Sequence, residues 1–119
     1  MTGRTVLVVE DDDDLRETIA LTLQLSGYQV REAANGRRAL ESIDEVLPDA
    51  ILLDLRMPVM DAAQFLQHLK KRPGACPPVL VVSAAADVEK AAARLGARDW
   101  LEKPFGIDRL IEKVQRLVP

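Results

Sequence analysis

Five reactive side chains stand at the ends of four short candidate strands. Asp54 follows Ala50-Ile51-Leu52-Leu53, and the pair Glu10-Asp11 follows Thr5-Val6-Leu7-Val8-Val9. Ser83 follows Pro78-Val79-Leu80-Val81-Val82, and Lys103 follows the segment from Arg98 to Glu102. Three carboxylates crowded into one pocket repel one another unless a cation sits among them. An oxygen donor set with room for several waters suits Mg²⁺. Such an ion would also take a phosphoryl oxygen and offset charge during transfer. Lys103 adds a mobile ammonium and Ser83 a hydroxyl donor. Asp54 as nucleophile, an acidic metal site, a lysine and a hydroxyl together make a constellation for phosphoryl transfer.

That chemistry needs a fold that gathers these residues. Continuous runs of Val, Ile and Leu read as strands buried on both faces, as in parallel sheets. Strands are expected at Thr5 to Val9, Tyr28 to Ala33, Ala50 to Leu53, Pro78 to Val82 and Arg98 to Glu102. Helices are expected between them. The first is capped by the last of the acids Glu10 to Asp14, carries Leu15, Ile19, Thr22 and Leu23 on one stripe, and stops at Gly27. The second follows Asn35-Gly36 through Leu40, Ile43 and Leu47. The third follows Pro58, begins near Met60 and ends at Arg72-Pro73-Gly74. The fourth runs from Ala84 to Leu95 and is stopped by Gly96, and the last carries Ile107, Leu110, Ile111, Val114, Leu117 and Val118. Alternating strands and helices predict an α/β fold with right-handed crossovers. The layout suits a flavodoxin-like, doubly wound (βα)5 sheet of five parallel strands in the order 2-1-3-4-5. Ligands of such sheets bind at the carboxyl ends of the strands, and every residue named above falls on that edge.

The 119 residues suffice for one core, with 48% hydrophobic and 29% charged residues. A formal net charge of -3 argues against nucleic-acid binding by this domain. The lone Cys76 offers neither a disulfide nor a zinc-ligand pair, usage compatible with a reducing cytoplasm. No secretory leader is visible and no apolar stretch approaches the ~20 residues of a membrane span.

The chain resembles the receiver domain of bacterial two-component response regulators, the CheY-like superfamily. The resemblance is carried by Val8-Val9-Glu10-Asp11-Asp12, by Leu53-Asp54-Leu55-Arg56-Met57-Pro58-Val59-Met60-Asp61, by Val82-Ser83-Ala84, and by Gly96 through Phe105. It implies that residues 1–119 are a single phosphoacceptor domain. Asp54 would accept a phosphoryl group from a histidine kinase or phosphotransfer protein. Glu10, Asp11, Asp54 and the backbone carbonyl of Arg56 would hold Mg²⁺, with Asp11 the direct acidic ligand of the pair. Lys103 would meet a phosphoryl oxygen, Pro104 would follow through a cis bond, and Ser83 and Trp100 would relay the change. The chain would catalyse its own phosphotransfer and dephosphorylation without being a turnover enzyme. A downstream protein, an output domain or a phosphorylation-dependent homodimer would read the face formed by the fourth helix, fifth strand and last helix. The alternative is a constitutive protein-interaction module with the fold and no switch. A hydrolase with a phosphoaspartate intermediate would need a second acid/base and a cap, and neither is found.

Two positions depart from the family's usual residues, and two more sit where the family varies its chemistry. Ala62 replaces the usual Gly, which predicts a stiffer or shifted loop. Trp100 is bulkier than the usual aromatic. Arg56 and Ala85 occupy positions that tune dephosphorylation in the family. Other side chains read more plainly. Asp12 to Asp14 suit a solvated helix start, His68 a solvated face, and Met57 and Met60 loop packing. Trp100 suits core packing as well as switching. Arg94, Arg98, Asp99, Asp108, Arg109, Glu112 and Lys113 are either a surface with weak ion pairs or, by resemblance, a partner face.

Overall fold

The computed structural model describes residues 3–57, 59–74 and 76–118. The apolar runs form the central strands. β1 (Thr5–Val9), β3 (Ala50–Asp54) and β4 (Val79–Ser83) are buried at every residue except Thr5. The more polar β2 (Gln29–Ala33) and β5 (Asp99–Glu102) take the edges, where one flank faces solvent. All neighbours are parallel and the order is β2-β1-β3-β4-β5, as expected.

Five helices among the described residues cover both faces: α1 (Asp13–Leu25), α2 (Gly36–Glu45), α3 (Ala62–Lys70), α4 (Val88–Leu95) and α5 (Ile107–Leu117). The two-residue period of the strands divides the core between them. Val6, Val8, Leu52 and Leu80 pack with Ile19 and Leu23 of α1 and Leu110 and Val114 of α5. Leu7, Val9, Ile51, Leu53 and Val81 pack with side chains of α2, α3 and α4, including Phe65. Each such Leu or Phe contributes about 1.5–3 kcal/mol by leaving water. A one-residue slip would turn each set onto the opposite face, so burial pins the register.

The register then places the reactive residues. Val9 pairs with Leu53, Asp54 with Val82, and Ser83 with Glu102. The next residue along β1 is Glu10 and along β5 is Lys103, so all arrive at one edge.

Helix starts differ from expectation, for reasons of capping. Asp12, not Asp14, caps α1, its carboxylate accepting from Leu15 N–H at 3.1 Å. α3 starts at Ala62 because Asp61 and Gln64 form a reciprocal capping box. α4 starts at Val88; Ser83 Oγ accepts from Ala85 N–H and turns the chain at the strand end. Leu47 lies beyond α2 and is exposed, since Val46 is already extended. Gly96 closes α4 at φ 74°, a left-handed conformation that suits glycine. Met57 and Met60 pack against the core, and a Cβ at Gly36 would meet Met60 at 3.2 Å. The readings placed on Pro58 and on the end of the chain at Pro119 lie outside the described residues. No helix among the described residues is long and apolar enough to cross a membrane.

Candidate functional site

Glu10 is the most constrained side chain at the sheet edge. It is 3% exposed, and every polar group has a partner. Its N–H donates to Ala33 O at 3.1 Å, extending the β1–β2 pairing by one bond. Oε2 accepts from Asp12 N–H at 3.2 Å, and Oε1 from Lys103 Nζ at 2.7 Å. Asp54, 6% exposed, ends β3; its Oδ1 accepts from Arg56 N–H at 3.2 Å and its Oδ2 lies 3.5 Å from Lys103 Nζ. Asp11 lies exposed at the mouth of the same pocket.

One carboxylate oxygen from each of Glu10, Asp11 and Asp54 lies within 4.8 Å of the others. This is an all-oxygen set with a single ammonium beside it, so negative charge exceeds positive and a hard divalent cation fits. Partial desolvation and the adjacent Glu10 carboxylate push the Asp11 carboxyl up from its ordinary value. Burial alone would lower the Lys103 ammonium, but Glu10 and Asp54 outweigh it and hold its pKa above the ordinary value. Lys103 therefore stays cationic where a transferred phosphoryl group would need it.

Ser83 is 1% exposed at the end of β4, and its oxygen already accepts from Ala85 N–H at 3.1 Å. The hydroxyl proton therefore remains to donate. The Ser83 carbonyl also accepts from Lys103 N–H at 2.8 Å, tying the β4 and β5 ends together. The peptide from Lys103 to Pro104 is cis. Arg56 is exposed, and its side chain makes no ion pair or hydrogen bond with the described residues.

Trp100 stands apart from the acids. It is half-buried on β5, with Lys113 Nζ 5.1 Å from its ring centroid. Lys113 is 6% exposed and pairs with Asp99 Oδ1 at 2.8 Å, and that oxygen also accepts from Trp100 N–H at 2.8 Å. Lys113 is thus no solvated surface charge. Arg109 and Glu112, with Arg116 beside them, form exposed pairs that contribute little.

Two residues escaped sequence reasoning. Lys113 looked like one charge among many, because its pairing depends on how α5 meets β5. Arg16 holds the turn that carries Glu10 and Asp11. It is the only Lys or Arg between Arg4 and Arg31, two residues past the end of the acidic run, and that isolation was its signal.

The sequence pattern of the response regulator receiver domain matches residues 6–115. The regulatory protein AtoC of Escherichia coli is 38% identical over 113 residues, which make up 93% of this chain and 24% of that protein. The transcriptional regulatory protein PrrA of Mycobacterium tuberculosis is 40% identical over 120 residues, 99% of this chain and 51% of that protein. The chain thus spans about a quarter of AtoC and about half of PrrA. Among solved structures, chemotaxis response regulator CheY4 of Vibrio cholerae superposes with a TM-score of 0.89 at 34% identity, covering 98% of this chain and 99% of that one. NtrX of Brucella abortus gives the same score and identity over 99% of this chain and 27% of its own.

Proposed function

The chain belongs to the response regulator receiver domain family, and on that premise we propose that it is a Mg²⁺-dependent phosphoacceptor whose nucleophile is Asp54. What supports this is one juxtaposition: Asp54 within 4.8 Å of the Glu10 and Asp11 oxygens, with Lys103 between Glu10 and Asp54. A carboxylate oxygen of Asp54 attacks the phosphorus of a phosphohistidine. The new P–O bond forms as the P–N bond breaks, and the imidazole leaves with the electron pair. Glu10, Asp11, Asp54 and the Arg56 carbonyl would hold Mg²⁺, which supplies charge neutralisation at the phosphoryl oxygens. Lys103 shifts from Glu10 toward the new phosphoryl oxygen, and the Ser83 hydroxyl donates to another. The preorganised edge does the rest by positioning, as phosphoryl transfer requires little covalent help.

The phosphodonor is a histidine kinase or phosphotransfer protein. An apolar groove of about 380 Å³ between α1 and α5, lined by Leu15, Ile19, Phe105, Ile107 and Leu110, opens beside Lys103 and suits an apolar donor helix. Phosphorylation adds charge and acceptors at one strand end. Movement of Ser83 and Trp100 then biases the face of α4, β5 and α5 toward a partner, an output domain or a second copy. The constitutive module is not favoured, since both acids, the nucleophile, the hydroxyl and the lysine are all retained. Phosphorylation by a small donor with Mg²⁺, with Asp54→Asn as control, tests the assignment.

A further inference from the structure

Arg16 grips the acid-bearing turn from behind. Its side chain is 14% exposed in the first turns of α1. Nη1 donates to the carbonyl oxygen of Glu10 at 2.9 Å, Nη2 to Asp13 Oδ1 at 2.7 Å, and Nε lies 3.3 Å from Glu32 Oε1 on β2. One planar fork therefore meets acceptors from the end of β1, the start of α1 and the edge strand. A lysine ammonium cannot span that set. None of the three contacts uses a carboxylate oxygen of Glu10, Asp11 or Asp54, so Arg16 does not compete for the converging ligands.

The Glu10 carbonyl belongs to the peptide plane that joins Glu10 to Asp11. A planar peptide passes orientation from one residue to the next. The N–H side of Glu10 is already held by Ala33 O. Arg16 fixes the other side, and with it the direction from which the exposed Asp11 carboxylate enters the pocket. We propose that Arg16 is a positioning residue of the acid site, holding the Glu10–Asp11 peptide so that the Asp11 carboxylate is presented to a divalent cation. This role rests on the pocket being the Mg²⁺ site described above.

Charge and positioning predict opposite signs. Removing a nearby cation leaves the acids more negative and would tighten Mg²⁺ binding if Arg16 acted only through its charge. If Arg16 positions the peptide, its loss weakens binding, as loss of an outer partner of a metal ligand does by about 10–100-fold. The experiment is calorimetric titration of the full chain with MgCl₂, alongside urea denaturation to verify folding. Arg16→Met is expected to weaken Mg²⁺ binding about tenfold and Arg16→Lys by a smaller factor. Arg72→Met, which breaks an ion pair with Asp44 at the opposite edge of the sheet, should leave affinity unchanged. Unchanged or tighter binding in both Arg16 variants overturns the proposal, and so does an equal loss in Arg72→Met. Should Arg16→Met fail to fold, Arg16→Lys alone decides, with wild-type affinity counting against. A wild type that takes no Mg²⁺, or Asp11→Asn binding as tightly as wild type, removes the metal site itself and this role with it.

Discussion

Lys103 and Glu10 are joined across the sheet edge by a 2.7 Å ion pair, while the same ammonium stands 3.5 Å from Asp54. The cation is thus held more closely by Glu10 than by Asp54, the proposed nucleophile. With Asp11 beside them, the three carboxylates outnumber the one ammonium, so the group carries more negative than positive charge.

Relief of that repulsion should stabilise the metal-free protein. Asp11→Asn is expected to raise its stability by a few tenths to about 1 kcal/mol, a range kept small by the solvent exposure of Asp11. The direction agrees with the raised Asp11 pKa, which marks a charge the folded state disfavours. In saturating Mg²⁺ the order should invert, because only the wild type gains the linkage stabilisation. Urea midpoints with and without Mg²⁺ measure both; a variant less stable than wild type in both conditions would contradict the charge argument.

Val59 carries φ 73°, a left-handed backbone for an exposed β-branched residue in the segment between β3 and α3. Such a conformation costs about 1–2 kcal/mol in a non-glycine residue. Little packing is lost on truncation, so Val59→Gly should stabilise by about 0.5–1 kcal/mol after the glycine's unfolded-state entropy is counted. An unchanged denaturant slope with a higher midpoint is the expected signature.

Ala62 stands where the family usually has glycine, yet it is buried as the first residue of α3 behind the Asp61 cap. Restoring glycine should therefore not relax the loop. Ala62→Gly is expected to cost about 0.5–1 kcal/mol. A gain in thermal midpoint would contradict the helical role given to Ala62 and show strain at this position.

The Asp99 carboxyl is raised by burial, but Lys113 and the Trp100 N–H outweigh that and hold it below its ordinary 3.8. A depressed acid contributes stability above its unfolded pKa and loses it as pH falls through the folded value. Asp99→Asn should thus flatten the fall in stability below pH 3.8 relative to wild type. Lys113→Met should cost about 1–3 kcal/mol at neutral pH, since it strands Asp99 and removes the cation over Trp100. Identical acid profiles for wild type and Asp99→Asn would contradict the pairing.

The site was legible where a polar residue interrupted a buried run. Asp54, Glu10 and Ser83 each break a pattern set by burial, Lys103 follows the short polar β5, and the strand order carried all four to one edge. The choice of Asp12 as helix cap was not legible, since adjacent acids have the same chemistry and only backbone geometry selects one. Arg16 and Lys113 were hidden for a related reason. A charged residue on a helix reads as solvated until tertiary packing brings its acceptors, here Glu10 O and Asp99, within reach. The left-handed Val59 had no sequence signal, because β-branched residues argue against that conformation.

The central claim is most directly tested by incubating the chain with Mg²⁺ and acetyl phosphate and reading the intact mass. The wild type is predicted to gain one phosphoryl group, dependent on Mg²⁺, and Asp54→Asn to gain none. No adduct on the wild type, or an adduct that persists in Asp54→Asn, would contradict Asp54 as the phosphoacceptor.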